Sequence, residues 1–115
     1  MNNHRSSASF LPFCLGLIVA IGVAASAYGQ EAPTRSIVQI GEDLYRAQNN
    51  NHHVVFLVTD EGIIHADTVN TDFMTWLKGE LDSRFGVPVK YVVYSHHHWD
   101  HVNGGSVFED TAQFV

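Results

Sequence analysis

The stretch "SHHHWDHVNGG", residues 95–105, contains four of the chain's eight histidines, one aspartate and a pair of glycines. It follows the apolar run "VKYVVY", residues 89–94, which predicts a buried β-strand. Side chains two residues apart in an extended chain point to the same side. We therefore expect His96 and His98 to converge on one point and His97 to face away from it.

The second part of the stretch supplies two more side chains of the kind that bind metals. Asp100 and His101 come after the chain has begun to turn, so they are predicted to aim at a neighbouring point. Asn103 and the glycine pair permit a tight turn and a close backbone approach. Imidazole nitrogens and carboxylate oxygens suit zinc and similar borderline metals. The cluster thus indicates half of two adjacent metal sites; the alternative is a histidine-rich surface loop without a specific ligand.

The segment before this cluster alternates between strand and turn signals. Four short runs bounded by turn residues predict strands: "SIVQI" (36–40), "LYRAQ" (44–48), "VVFLVTD" (54–60) and "IIHAD" (63–67). The third run is continuously apolar and β-branched, which predicts a buried strand. The order is typical of an α/β protein with a mostly antiparallel start.

One helix is predicted between the fourth of these strands and "VKYVVY". Thr71 or Asp72 can cap its start, and Gly86 with Pro88 stops it. Apolar residues recur at helical spacing and are expected to pack in the core: Phe73, Trp76, Leu77 and Leu81. The final "AQFV", residues 112–115, predicts the beginning of another strand.

The motif H-x-H-x-D-H at residues 96–101, after an apolar strand and before a glycine pair, resembles the metal motif of the metallo-β-lactamase superfamily. The resemblance extends over residues 36–115 and includes the strand pair "VVFLVTDEGIIHAD". It implies an α/β fold, the αββα sandwich of the metallo-β-lactamase type. That sandwich consists of two similar halves, and this sequence is expected to form the first half only.

The resemblance also implies a role for each residue of the motif. His96 and His98 would bind a first metal ion, and Asp100 and His101 a second. Asp100 would in addition orient the attacking hydroxide or carry a proton, which makes it the candidate catalytic residue. Asp67, at the end of "IIHAD", would brace the loop that contains this motif without being a ligand. The complete protein is expected to hold two zinc ions, with iron or manganese as alternatives.

The implied function is that of a metal-dependent hydrolase. A metal-bound hydroxide would attack an ester, thioester, lactone or lactam-type substrate, so a small molecule is the expected partner. The family completes its two metal sites with a histidine, an aspartate and a final histidine well beyond the first motif, and this sequence contains none of them. We therefore expect the N-terminal half of a longer enzyme; the alternative is a non-catalytic or vestigial metal-binding chain.

Residues 1–29 predict a secretory signal peptide. Arg5 provides a basic start, residues 10–27 run without a charge, and a small-residue A-x-A sequence ends the run. An N-terminal membrane anchor is the alternative, because the run is nearly long enough to span a bilayer. We expect cleavage, export to the periplasm or the exterior, and no stable membrane association afterwards. Residues 30–35 would then be a linker to the domain at residues 36–115.

Charge and cysteine content exclude several other classes of protein. Without residues 1–27, five Lys and Arg stand against twelve Asp and Glu, a formal charge of −7. This acidic balance argues against nucleic-acid binding, which requires basic patches. Cys14, the only cysteine, lies in the signal segment, so the mature chain is expected to have no disulfide, cysteine nucleophile or thiolate ligand. The sequence carries no signal for an oligomeric state.

The remaining candidate residues have simpler interpretations. His52 and His53 lie in a polar turn and are expected to be solvated. His65 lies inside an apolar strand, which favours a hydrogen-bonded core residue over a ligand. Trp99 is equally compatible with packing and with substrate contact. Ser95 lacks the glycine pattern of a nucleophile elbow, which argues against a serine hydrolase.

Overall fold

A computed structural model describes Gly29 and residues 31–115 of the chain. Apart from Gly29, the predicted signal peptide lies outside the described residues. Residues 31–34 form neither helix nor strand, and the first strand begins at Arg35. No helix in residues 31–115 has the length and apolar character needed to cross a membrane.

Six strands form one mixed sheet in the order β1-β2-β3-β4-β5-β6. Their bounds are β1 (Arg35–Gln39), β2 (Leu44–Asn49), β3 (His52–Thr59), β4 (Gly62–Ala66), β5 (Val89–Val93) and β6 (Gln113–Phe114). The first four strands pair antiparallel, whereas β5 is parallel to β4 and β6 is parallel to β5. Each strand predicted from the sequence is confirmed, as is the antiparallel start.

The helix α1 (Thr71–Phe85) connects β4 to the parallel strand β5. Its N-cap is Asn70, whose extended backbone precedes the helix and whose Oδ1 accepts a 2.8 Å hydrogen bond from the Phe73 N–H. The prediction of Thr71 or Asp72 as the cap was wrong by one or two residues. Gly86 ends the helix as predicted, in the left-handed conformation with φ 65°.

The core lies where α1 and a short 3₁₀ helix, η1 (Gly105–Phe108), pack on one side of the sheet. Helix α1 contributes residues spaced to share one face, and the sheet contributes alternate residues of its strands. The largest fully buried apolar side chains are Phe56, Ile63, Phe73, Met74, Leu77, Leu81, Val92 and Phe108. Full burial of each such side chain stabilises the fold by about 1.5–3 kcal/mol relative to exposure. The predicted core role of α1 is confirmed, with Trp76 only partly buried.

The opposite side of the sheet also carries apolar side chains, which we call the apolar sheet face. It comprises Leu44, Val55, Leu57, Ile64, Tyr91 and Val93, each 37–39% exposed. Leu57 lies opposite Leu44 on β2 and Ile64 on β4, so the side chains form a continuous row. The prediction that "VVFLVTD" and "VKYVVY" are buried strands is therefore wrong for this side. Helix α1 and η1 pack on only one side of the sheet, so alternate residues of both strands remain accessible.

The segment between β5 and β6 contains the histidine cluster. It includes one helical turn, α2 (Trp99–Val102), followed by η1. Because β4 and β5 are parallel, the residues that follow them emerge at the same edge of the sheet. That edge carries Asp67 after β4 and residues 95–104, which we call the metal loop, after β5.

Candidate metal centre

The parallel pairing of β4 and β5 places Asp67 beside the metal loop. Ala66 lies opposite Val93 in the register, and the Asp67 N–H donates a 3.0 Å hydrogen bond to the Val93 carbonyl. The Asp67 side chain therefore points from the end of β4 into residues 95–101. Asp67 and Ser95 are 28 residues apart in the sequence, and backbone hydrogen bonds between the parallel strands β4 and β5 bring them together.

The Asp67 carboxylate is the centre of a small hydrogen-bond network. Oδ1 accepts the Ser95 N–H at 2.9 Å, and Oδ2 accepts the Ser95 hydroxyl at 2.9 Å. Oδ2 also lies 2.9 Å from Nδ1 of His101. Burial by itself would raise the pKa of Asp67, but the hydrogen bonds from Ser95 and His101 outweigh it and hold the pKa below its ordinary value. Asp67 is therefore an ionised acceptor of three hydrogen bonds.

These hydrogen bonds fix which ring nitrogen carries a proton in two of the histidines. An ionised carboxylate can only accept, so His101 donates from Nδ1–H to Asp67. The single Ser95 hydroxyl proton is given to Asp67, so Nδ1 of His96, 2.8 Å from Ser95 Oγ, is the donor in that contact. In neutral His96 and His101 the lone pair is then on Nε2, which is the form that a metal ion requires.

The imidazoles of the metal loop lie close together. The ring centroid of His96 is 4.6 Å from that of His98 and 3.9 Å from that of His101. This gathers the three histidines for which the resemblance implies metal binding. His97 does not point clear of the cluster as expected, because its ring lies 5.2 Å from that of His98. The physical reason is that residues 96–98 are not a regular strand, so the two-residue alternation does not apply to them.

Asp100 and Trp99 begin the helical turn α2. One Asp100 carboxylate oxygen is 3.7 Å from Nε2 of His101, so these two groups lie next to each other. The Asp100 side chain remains 43% exposed.

Trp99 is 73% exposed, so packing in the core does not account for it. His52 and His53 are exposed, as predicted, but they begin strand β3, so their placement in a turn was wrong.

His65 is a core residue, as its place in an apolar strand predicts. It is fully buried, with Nε2 3.3 Å from the Met74 sulfur and the ring 5.5 Å from that of Phe108. Its Nδ1 has no hydrogen-bond partner in the described part of the chain, so the predicted hydrogen bonding is not present at that atom. Burial lowers the pKa of His65 to about 4, against an opposing effect of the nearby Asp67 carboxylate.

The donor set of the metal loop fits a borderline metal ion in its chemistry. Three imidazoles and one carboxylate are of the type that zinc prefers, and the contacts of His96 and His101 favour the tautomer with the lone pair on Nε2. Within residues 31–115, however, no group of three or more His, Cys, Asp and Glu side chains is placed so that it could hold one metal ion. The assignment of His96, His98, Asp100 and His101 as ligands therefore stays a prediction.

Comparison with solved structures adds a second line of observation. A metallo-β-lactamase from Hirschia baltica superposes with a TM-score of 0.62 at 12% identity, over 70% of this chain and 42% of that one. One from Pontibacter korlensis gives 0.59 at 19% identity, over 67% and 40%. The mono-zinc form of FIM-1 from Pseudomonas aeruginosa gives 0.62 at 11% identity, over 70% and 40%.

The chain adopts part of the metallo-β-lactamase fold. It spans about two fifths of the length of these three structures, so the fold expected from the H-x-H-x-D-H motif is confirmed for that portion. At 11–19% identity the likeness concerns the fold alone. No family model and no curated protein matches the sequence.

Two residues of this metallo-β-lactamase-like portion were not predicted to act at the site. Ser95 donates twice to Asp67 and accepts from His96. Thr68, next to Asp67, contacts the backbone of His101 and Gly104. A hydroxyl directly before the first histidine was a usable signal for Ser95. Thr68 carries no such signal, because its partners lie 33 and 36 residues away.

Proposed function

We propose that the chain belongs to a metal-dependent hydrolase whose first ligands are on the metal loop. The observation that carries the proposal is the Asp67 network, because it leaves a lone pair on Nε2 of both His96 and His101. A histidine-rich surface loop without a ligand would not require an aspartate that holds one imidazole directly and a second one through Ser95. The fold shared with metallo-β-lactamases supports the same conclusion.

His96 and His98 would hold a first metal ion, and Asp100 and His101 a second. We propose zinc for both, with iron or manganese as alternatives, because imidazole and carboxylate donors accept all three. Further ligands would come from outside residues 31–115, since no complete donor group lies within them. A bound metal ion supplies Lewis-acid chemistry that activates water and polarises a carbonyl oxygen.

The other steps of hydrolysis would depend on side chains of the chain itself. Asp100, partly exposed and 3.7 Å from His101, is placed to orient a water molecule or to accept its proton. Asp67 and Ser95 would hold the ring orientation of His96 and His101. The substrate would be a small molecule with an ester, thioester, lactone or lactam bond, and Trp99, which is exposed next to Asp100, would contact it.

The test is metal content followed by hydrolysis. The chain is expressed beside a double variant, His96→Ala with His98→Ala, and both are loaded with zinc, desalted and measured for bound metal. We expect bound zinc in the wild type and a clearly lower zinc content in the double variant, which keeps only the proposed ligands Asp100 and His101. Chromogenic esters, thioesters, lactones and β-lactams then report turnover. Equal metal content in the two proteins would overturn the proposal.

A second candidate function is that of a non-catalytic metal-binding chain. It is favoured by the lack of a three-donor group within residues 31–115, because a bound ion would keep open positions filled by water. Zinc binding that depends on His96 and His98, without turnover of any of the four substrate classes, would support this candidate. Turnover abolished by the double variant would support the hydrolase.

We also propose export through cleavage of residues 1–29, since a basic start, an apolar run and a small-residue ending occur in that order. Amino-terminal sequencing of the protein recovered from periplasm and medium tests this. A protein beginning near residue 30 is expected, whereas an intact chain that stays in the membrane fraction would indicate an anchor.

A further inference from the structure

Thr68 contacts both ends of the turn that contains His101. It is fully buried, although it is polar. Its N–H donates to the His101 carbonyl at 2.7 Å, and its hydroxyl lies 3.3 Å from the same carbonyl. The hydroxyl oxygen also accepts the Gly104 N–H at 3.1 Å. Thr68 therefore satisfies backbone groups on both sides of residues 102–103.

The backbone around Thr68 is held in an uncommon conformation. Asp67 has φ 57° and Val69 has φ 43°, both in the left-handed region. For a β-branched residue such as Val69 this conformation is strained and persists only where the surroundings determine it. The consequence is that two consecutive residues face the metal loop: Asp67 with its carboxylate, and Thr68 with its N–H and hydroxyl.

The far end of the metal loop lies directly on this corner. A Cβ atom added to Gly104 would come within 2.6 Å of Met74 Cγ and 2.8 Å of the Asn70 carbonyl, and it would also clash with the carbonyl of Thr68. Backbone therefore packs on backbone, with no side chain between them. This contact leaves the Gly104 N–H near the Thr68 hydroxyl and away from water.

We propose that Thr68 is a positioning residue for His101. Asp67 fixes the His101 ring through Nδ1, and the Thr68 hydroxyl fixes the backbone of the same turn at the His101 carbonyl and the Gly104 N–H, so the direction of Nε2 is determined at both ends. The inference deepens the proposed function and rests on it for the role of His101 as a metal ligand. The positioning itself is a property of the chain without metal.

The experiment compares three variants of the chain at low micromolar concentration. Thr68→Val keeps the shape of the side chain and removes the hydroxyl, whereas Thr68→Ser keeps the hydroxyl. Thr75→Val is the control for loss of a threonine hydroxyl, because the Thr75 hydroxyl contacts the Thr71 carbonyl on the exposed side of α1. Amide hydrogen exchange of a peptide covering residues 101–106 is followed in metal-free protein. Zinc affinity is then measured by competition with a chelator.

We expect Thr68→Val to raise exchange at the Gly104 amide roughly fivefold to tenfold, because its acceptor is lost. Zinc affinity should fall by roughly tenfold, as for other groups that orient a ligand. Thr68→Ser and Thr75→Val should each stay within about twofold of the wild type in both measurements.

Several results would overturn the inference. Unchanged exchange and affinity in Thr68→Val would do so, as would a Thr68→Ser variant as impaired as Thr68→Val, since the methyl group would then be the important part. Faster exchange throughout the sheet would indicate general destabilisation instead. If the wild type binds no zinc, the proposed function fails, but loop exchange in metal-free protein still decides whether Thr68 positions His101.

Discussion

The Asp67 carboxylate and Nδ1 of His101, 34 residues apart in the sequence, lie 2.9 Å from each other at one edge of the sheet. The contact depends on the parallel pairing of β4 and β5, which brings the two strand ends together. The parallel strand pairing thereby determines which ring nitrogen of His101 carries the proton. The orientation of the ring therefore follows from strand topology as much as from the local sequence of the metal loop.

Replacement of Asp67 tests this relationship. Asp67→Ala removes the acceptor for His101 Nδ1 and for both Ser95 donors. The rings of His101 and of His96, which Ser95 contacts, are then no longer held in one tautomer. We expect zinc affinity to fall by roughly 10–100-fold in chelator competition. Asp82→Ala, which removes an exposed carboxylate on α1, is the control for the change in charge. Equal affinities for the two variants would show that the Asp67 network does not matter for metal binding.

The three neighbouring histidines provide a comparison within the metal loop. His96→Ala and His98→Ala should each lower zinc affinity by more than the roughly 100-fold upper limit expected for an orienting group, because a ligand itself is lost. His97→Ala, which removes the same type of side chain from the position between them, should change affinity by less than about twofold, because the H-x-H-x-D-H motif does not include His97 as a ligand. Isothermal titration of zinc into each variant gives the values. An effect of His97→Ala equal to that of His98→Ala would assign His97 as a ligand.

The sequence allowed the elements to be predicted because each carries a local signal. Helix α1 shows this at both ends: Gly86 is the only residue there that enters the left-handed region without strain, so the end was predicted correctly. At the start, Asn70, Thr71 and Asp72 are all good caps. Which of them acts depends on where the chain leaves β4, and local sequence does not contain that information.

The residues that support the candidate site were harder to predict than the candidate ligands themselves. The histidines form a recognisable spacing, whereas Thr68 acts through hydrogen bonds to backbone groups of distant residues. Any residue could supply those backbone groups, so no pattern of residue types records the contact. The exposure of Leu57 and Ile64 was not predicted for a related reason. An apolar run shows that both faces of a strand are apolar, but tertiary packing decides whether each face is covered.

The contact between Gly104 and the 67–70 corner predicts a clear difference between two glycine substitutions. Gly104→Ala forces a methyl group against Met74 and the Asn70 carbonyl, so we expect the free energy of unfolding to fall by about 1–3 kcal/mol. Gly79→Ala, on α1 with open space around it, should raise it by roughly 0.8–1 kcal/mol through helix propensity. Urea unfolding followed by circular dichroism measures both. A Gly104→Ala variant as stable as the wild type would contradict the close packing of the metal loop.

Buried His65 predicts how stability depends on pH. Its pKa is about 4 in the folded chain against 6.5 ordinarily, so between these values the unfolded chain binds a proton that the folded chain does not. Stability is therefore fully present above pH 6.5 and declines by about 3 kcal/mol as the pH falls to about 4. Asp67, whose pKa is held low, contributes a further loss only at more acidic pH.

His65→Leu isolates this contribution. The variant should lose much less stability than the wild type between pH 6.5 and 4, whatever its absolute stability at neutral pH. The exposed histidine in His53→Leu is the control and should leave the pH dependence of the wild type in place. Urea midpoints at half-unit pH intervals give the comparison. Parallel curves for the wild type and His65→Leu would mean that His65 is protonated in the folded chain without cost.

The apolar sheet face predicts self-association of the chain. Leu57 and Ile64 lie opposite each other near the middle of a continuous row, and contiguous exposed apolar side chains of this kind favour association. We expect oligomers or aggregates at tens of micromolar protein in light scattering, with a shift towards monomer in Ile64→Lys. Ser83→Lys adds the same charge to the exposed side of α1 and should leave the association unchanged. A wild-type chain that stays monomeric and melts cooperatively would show that this face is compatible with a stable monomer.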